Sequence, residues 1–197
     1  LCKNSKVKVE AINVSSVENA RHRDLNLAAG LDQQIHVHNA SFEAVPLGDE
    51  SADVVWSQDA ILHSGDRQQV MKEAARLLKP GGVMVMTDPM ASDGVPSASL
   101  SAILERIHLT DLGSPARYKS WANNVGLHRE IWDDRTPMLI RHYSRVRDEL
   151  KQRHDELKQS ISSEYLTKMN EGLKHWIEGG NSGRLCWGLM RYRKLEK

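Results

Sequence analysis

The chain has 197 residues, 40% hydrophobic and 27% charged, with 27 Lys+Arg against 26 Asp+Glu and a formal net charge of +1. That is ordinary composition for one globular domain. The near-zero charge gives no electrostatic case for nucleic acid or an anionic membrane, no run is long enough to span a bilayer, and no leader pattern opens the chain. The only cysteines, Cys2 and Cys186, read as reduced thiols of a cytosolic protein.

Val7–Val14 ("VKVEAINV") alternates and then turns apolar, as a strand does. The spacing predicts a helix over "SSVENARHRDLNLAAG", with Ser15 and Glu18 at capping-box separation and Gly30 as its left-handed stop. Ile35–Ala40 ("IHVHNA") is a second strand; His36 and His38 share one face, which a solvated strand surface explains. A polar connection, "SFEAVPLGDES", is long enough for a parallel crossover to a third strand, "ADVVWS". Asp66 caps a helix over "RQQVMKEAARLL", whose Val70, Met71, Ala74, Ala75, Leu77 and Leu78 form one apolar face. "KPGG" (Lys79–Gly82) stops it before a fourth strand, Val83–Asp88. Two helices follow, "SLSAILERIHLTDLG" and "SPARYKSWANNVGL", the second with Ser114 at its N-cap, Pro115 at its first position and Gly126 beyond its end. His128–Asp133 is a fifth strand; Thr136 starts a long helix to about Gln159; another runs from Ser163 to Ile177 and ends at Gly179-Gly180; Leu185–Arg193 ("LCWGLMRYR") is the last strand.

This alternation argues for a doubly wound parallel α/β sheet, and such sheets bind ligands outside the carboxyl ends of their strands. Those ends are polar or soft where the strand bodies are aliphatic: Asn13; Ala40, Ser41 and Phe42; Ser57, Gln58 and Asp59; Asp88, Pro89 and Met90. The third end is the richest, with His63 four residues beyond Asp59. A helical turn starting near Asp59 would make the two neighbours on one face. No glycine flanks Ser57 as a hydrolase elbow requires, and no third ligand lies at metal-binding spacing. Structural alternatives stand beside each position: a turn or N-cap at Asn13 and Asp59, core packing at Phe42, loop packing at Met90.

The segments "FEAVPLGDESADVVWSQDAILHS" and "EAARLLKPGGVMVMTDPM" resemble the class I S-adenosylmethionine-dependent methyltransferases; "WSQDAILHS", "TDPM" and "HWIEGG" resemble, within them, the sarcosine/dimethylglycine N-methyltransferases of glycine betaine synthesis. The resemblance implies a Rossmann-like α/β methyltransferase sheet that is incomplete here, its first strand and Gly-rich cofactor loop missing and a gap left between the strands at Val7–Val14 and "ADVVWS". Residues 1–197 are then expected to be the C-terminal part of one methyltransferase domain, with a helical cap over 136–180 inserted before the last strand. S-adenosylmethionine is expected on Asn13, Val14, Ala40, Ser41, Phe42, Ser57 and Gln58. Asn13 and Ser41 stand where the family often has an acid. Gln58, Asp59 and His63 become the catalytic wall: Gln58 at the cofactor–substrate junction, Asp59 at the amine, His63 ordering the wall. Met90, Arg141, His142 and Tyr143 fall on the substrate side, the last three toward its carboxylate. The implied enzyme is cytoplasmic, uses no metal, nucleic acid or membrane, and methylates a small-molecule amine, sarcosine and/or dimethylglycine. The alternatives are a non-catalytic methyltransferase-like fragment that needs a partner segment, a methyltransferase of another small acceptor, and a homodimer interface in place of the cap.

Overall fold

The computed structural model describes residues 6–196, so Cys2 lies outside the described residues. The strands divide into two sheets. In the first, β1 (Val9–Asn13) and β2 (Ile35–Asn39) run parallel in register from Val9↔Ile35 to Asn13↔Asn39, joined by α1 (Ser16–Ala28). The expected cap is present: the Ser15 hydroxyl accepts from the Glu18 N–H, and Gly30 takes φ +65° beyond the helix end. Asn19, only 1% exposed, donates from Nδ2 to the Asn13 carbonyl at 2.8 Å and to Asn39 Oδ1, tying the carboxyl ends of both strands to the helix.

The second sheet has the order β3-β4-β6-β5, formed by β3 (Ala52–Gln58), β4 (Leu78–Ala91), β5 (Leu127–Asp134) and β6 (Leu185–Lys194). β3, β4 and β5 run in the same direction, and β6 alone is reversed, antiparallel to both its neighbours β4 and β5; this corrects the parallel sheet expected from the alternation at one strand. Among the described residues, β1 and β3 form no backbone pairing with each other. Val54 and Trp56 on β3 are exposed, at 54% and 64%.

Helix α2 (Arg67–Leu77) has Asp66 as its N-cap, with Oδ1 accepting from the Gln69 N–H at 3.0 Å. "KPGG" does not precede the fourth strand but lies within it. Pairing steps from Ala52↔Leu78 to Val54↔Val83, so the extra residues form an irregularity in which Gly81 takes φ +76°. The helix expected from "SLSAILERIHLTDLG" is also shorter. A 3-10 turn at Ser97–Leu100 leads into α3 (Ser101–Arg106), which stops because His108 adopts φ +56° and the Leu109 N–H closes back onto the Leu104 carbonyl. Helix α4 (Pro115–Asn124) has its expected Ser114 cap.

Between β5 and β6 come α5 (Thr136–Gln152), the single turn α6 (His154–Leu157) and α7 (Ser163–Asn181). The first expected helix therefore breaks at Arg153, and the second runs through Gly179-Gly180 instead of ending there. Both glycines are buried, and a side chain at Gly179 would meet Leu185 and one at Gly180 would meet Ile140. The actual stop is at Gly183, φ +69°, where the Arg184 N–H reaches the Gly179 carbonyl.

The main core lies where α2 and α4 cover the second sheet, around Met71, Met84, Met86, Met190 and Tyr192, all 0–1% exposed. Each such side chain contributes roughly 1.5–3 kcal/mol on burial. A second cluster (Leu100, Ile103, Leu139, Trp176 and Leu185 among its members) joins α3, α5 and α7 to the β4–β6 pair and seats the inserted helices beside the carboxyl end of β3.

Candidate active site

The centre of the site is the segment from Asp59 to His63. Asp59 follows β3 at φ +50°, outside any helix, and the turn behind it is 3-10, at Ile61–His63. The helical i, i+4 relation expected between Asp59 and His63 is therefore not formed, and the N-cap of that turn is Ala60, not Asp59. A non-glycine residue in this backbone region persists only where its surroundings over-determine it.

They do so here. The Asp59 N–H donates to the Thr87 carbonyl at 2.9 Å. Asp59 Oδ1 accepts twice, from Thr87 Oγ1 at 2.9 Å and from the Trp187 indole Nε1 at 2.8 Å. The Leu62 N–H donates to Asp88 Oδ1 at 3.2 Å, while Arg67 Nη2 donates to the Leu62 carbonyl at 2.7 Å. Arg67, 7% exposed, is itself anchored on Asp111. Thr87 and Asp88, adjacent on β4, thus hold the two ends of one turn. Glu43, in the connection after β2, accepts from the Ser64 hydroxyl and the Asp66 N–H and ties the turn to the start of α2.

Asp88 is fully buried and accepts from the Tyr118 hydroxyl at 2.5 Å. Burial pushes its carboxyl up to about 7, against the opposing pull of the Tyr118 and Leu62 bonds. The Tyr118 hydroxyl is raised in turn, by burial first and then by the Asp88 charge. Hydrogen bonds to Ser64 and Asp66 hold Glu43 below the usual carboxylate range.

Trp187, Thr87, Tyr118 and Glu43 were not among the residues expected from the sequence to build the site, and Asp88 was named at a strand end without a role. Trp187 is also the link to the inserted helices: its N–H donates to Thr136 Oγ1 at 3.1 Å, and its carbonyl accepts from the Arg135 N–H at 2.8 Å.

The expected residues fall into three groups. Ser57 and Gln58 stand beside Asp59 at the end of β3, and His63 is exposed two residues beyond the 3-10 N-cap's neighbour Ile61. Asn13, Val14, Ala40, Ser41 and Phe42 stand at the ends of β1 and β2. Asn13 Oδ1 accepts from the Ser15 N–H, the turn role named as its alternative; Ser41 Oγ accepts from the Glu43 N–H; Phe42 packs on the main core. Met90 lies within β4, paired with Cys186 and 0% exposed in the main core. Of the three expected at the substrate carboxylate, Arg141 and His142 are exposed, while Tyr143 turns inward and stacks on Trp176 at 5.1 Å between centroids. Cys186 is a buried free thiol pushed up to about 12 by burial, which makes it inert at neutral pH.

These strand ends fit a nucleoside-bearing cofactor. Asn13 Nδ2, Ser57 Oγ and the Gln58 amide have no hydrogen-bond partner among the described residues, and Val14, 72% exposed, offers an apolar surface beside Asn13. A methyltransferase-domain family model matches residues 2–86. The dimethylglycine N-methyltransferase of Parasynechococcus marenigrum (strain WH8102) is 63% identical over 186 residues, covering 94% of this chain and 66% of that protein. The sarcosine/dimethylglycine N-methyltransferase of Halorhodospira halochloris is 46% identical over 187 residues, covering 95% and 67%. A crystal structure from Galdieria sulphuraria, of a protein provisionally named a sarcosine dimethylglycine methyltransferase, superposes with a TM-score of 0.93 at 44% identity over 99% of this chain and 72% of that one.

The fold is that of a class I S-adenosylmethionine-dependent methyltransferase. The chain belongs to the sarcosine/dimethylglycine N-methyltransferase family. It spans about two thirds of the length of the curated relatives it matches.

Proposed function

We propose that the protein is a cytoplasmic N-methyltransferase that methylates sarcosine and/or dimethylglycine, giving glycine betaine. The observation that carries this reading is Asp59: a carboxylate at the carboxyl end of β3 whose Oδ1 is saturated by Thr87 and Trp187, leaving Oδ2 without a partner among the described residues. Asn13, Val14, Ala40, Ser41, Phe42, Ser57 and Gln58 would hold S-adenosylmethionine. When bound, it supplies a methyl group already activated on a sulfonium.

The chain's own residues then have little bond chemistry to perform and much positioning. An amine attacks only through a free lone pair, so the ammonium form must lose a proton first. Asp59 is placed to accept or orient that proton, and its charge faces the cation that develops on nitrogen. Methylating a tertiary amine leaves no N–H to remove, so Asp59 is needed as a base only before transfer. His63, exposed at the mouth, orders the outer wall. The inserted helices, anchored by Thr136 and Trp187, exclude water from the acceptor side.

The test is transfer of labelled methyl groups to glycine, sarcosine and dimethylglycine in the full-length protein. Asp59→Ala is expected to lower kcat/KM by about tenfold or more. Absence of transfer to all three acceptors overturns the function, and an unaltered rate in the variant removes Asp59 from the mechanism.

A further inference from the structure

We propose that Arg106 binds the carboxylate of the acceptor amino acid: it is the cationic pole of a frame whose anionic pole is Asp59 and whose wall is the Tyr143–Trp176 stack. This rests on the amino-acid N-methyltransferase reading above and names the recognition element that reading lacks.

The argument begins on α7. Lys168, Gly172 and Trp176 are spaced by four and line one face of that helix. Arg106, the last residue of α3, lays its guanidinium across this face and donates from Nη1 to the Lys168 carbonyl at 3.0 Å. It lies flat there because position 172 is glycine; a methyl group at that position would fall on the guanidinium. One helical turn further on, Trp176 carries the ring of Tyr143, stacked at an interplanar angle of 22°. Arg106 and Tyr143 are therefore neighbours on one platform.

Tyr143 also connects this platform to the catalytic turn. Its hydroxyl is raised by burial first, then by the charge of Asp59, and is eased by the charge of Arg106. Both poles thus act on one phenol. Trp187, which holds Asp59, packs with Tyr143 against the same cluster around Trp176 and Leu139.

Arg106 has what a carboxylate receptor needs. Apart from the bond to Lys168 its guanidinium donors have no partner, and it joins no ion pair, among the described residues. A planar fork with free donors matches a carboxylate bidentately. An acceptor bound between Asp59 and Arg106 would be a small zwitterion, cation toward β3 and anion toward α3, with the aromatic stack along its methylated side. Arg106 is exposed, as are Arg141 and His142, which the sequence offered for this task; what sets Arg106 apart is that its guanidinium is held on α7 by the Lys168 carbonyl over Gly172.

The test compares wild type with Arg106→Ala and Arg106→Lys in the full-length protein. Arg106→Ala should raise the KM for dimethylglycine about tenfold or more and leave the KM for S-adenosylmethionine within about twofold. Two unreactive competitors isolate the carboxylate: glycine betaine carries one, and choline has the same cation with a hydroxyl instead. Arg106→Ala should weaken inhibition by betaine until it matches choline, and Arg106→Lys should restore part of the difference. Equal losses for both competitors and for S-adenosylmethionine would assign Arg106 to packing α3 on α7 and overturn the proposal, as would unchanged kinetics. If wild type methylates no amino acid at all, the functional reading fails independently of Arg106.

Discussion

The residue that most shapes the site without touching the open cleft is Asp88. Its carboxyl is buried, bonded to Tyr118 and to the Leu62 N–H, and raised to about 7. In the unfolded chain it ionises near 4. Between these values the folded state holds a proton that the unfolded state has lost, so stability falls as pH rises from about 4 to about 7 and then levels off. Asp88→Asn should remove that slope. Urea midpoints from pH 5 to 7.5 should fall for the wild type and stay flat for the variant; parallel curves would show that Asp88 does not titrate in this window. The absolute stability of the variant should also drop, because Asn cannot accept from both Tyr118 and Leu62 without turning its amide toward one of them. At this scale the sequence was partly legible. Asp59 stood out because a carboxylate at the end of an apolar strand has no packing reason to be there. Its partners Thr87 and Trp187 did not, because Trp187 lies on β6 and one in-chain pattern cannot show that two distant strands bring their side chains to one oxygen.

Among the elements, α7 is one whose boundary the sequence misplaced, and the cause is physical. Paired glycines usually end helices, but Gly179 and Gly180 let the helix pass close to Leu185 and Ile140. Alanine at position 179 gains up to about 1 kcal/mol of helix propensity. Its methyl, however, would lie 2.7 Å from Leu185 Cδ1 and 3.2 Å from Ile103 Cδ1, both in residues no more than 3% exposed. Overpacking of a constrained core typically costs about 1–3 kcal/mol, so the loss should win. Gly179→Ala is expected to lower the denaturant midpoint with little change in slope, and a more stable variant would mean that α7 can move off β6. The caps of α1, α2 and α4 were legible because Ser15, Asp66 and Ser114 each act within three residues of themselves. The shortness of α3 was not: it depends on the left-handed backbone at His108, a residue type that gives no reliable signal of it.

In the molecule as a whole, the two sheets differ in how they are held. No residue of β1 or β2 is fully buried, whereas β4 and β6 carry Met84, Met86, Met190 and Tyr192 in the main core. An isolated two-stranded sheet is marginal in water. In a chain of residues 1–197 alone, hydrogen exchange should therefore be fast at the β1–β2 amides and slow at the β4–β6 amides, and equal protection of both sheets would show that the smaller one has support the strand pairing does not reveal. The class of fold was legible from the strand and helix alternation, and the polar strand ends pointed to the candidate site. The reversal of β6 was not legible from periodicity, since strand direction leaves no mark on the alternation of side chains. That reversal has a temporal consequence. β6 lies between β4 and β5 in the sheet but comes after both in the chain. During synthesis β4 must wait, its Met- and Val-rich edge unpaired, while α3, α4, β5 and the three inserted helices are made. The sheet closes only when β6 arrives, and with it Trp187. The Asp59 carboxylate therefore gains its indole donor in the same late event that seals the core, so in a nascent chain the proposed site is not finished before the sheet is.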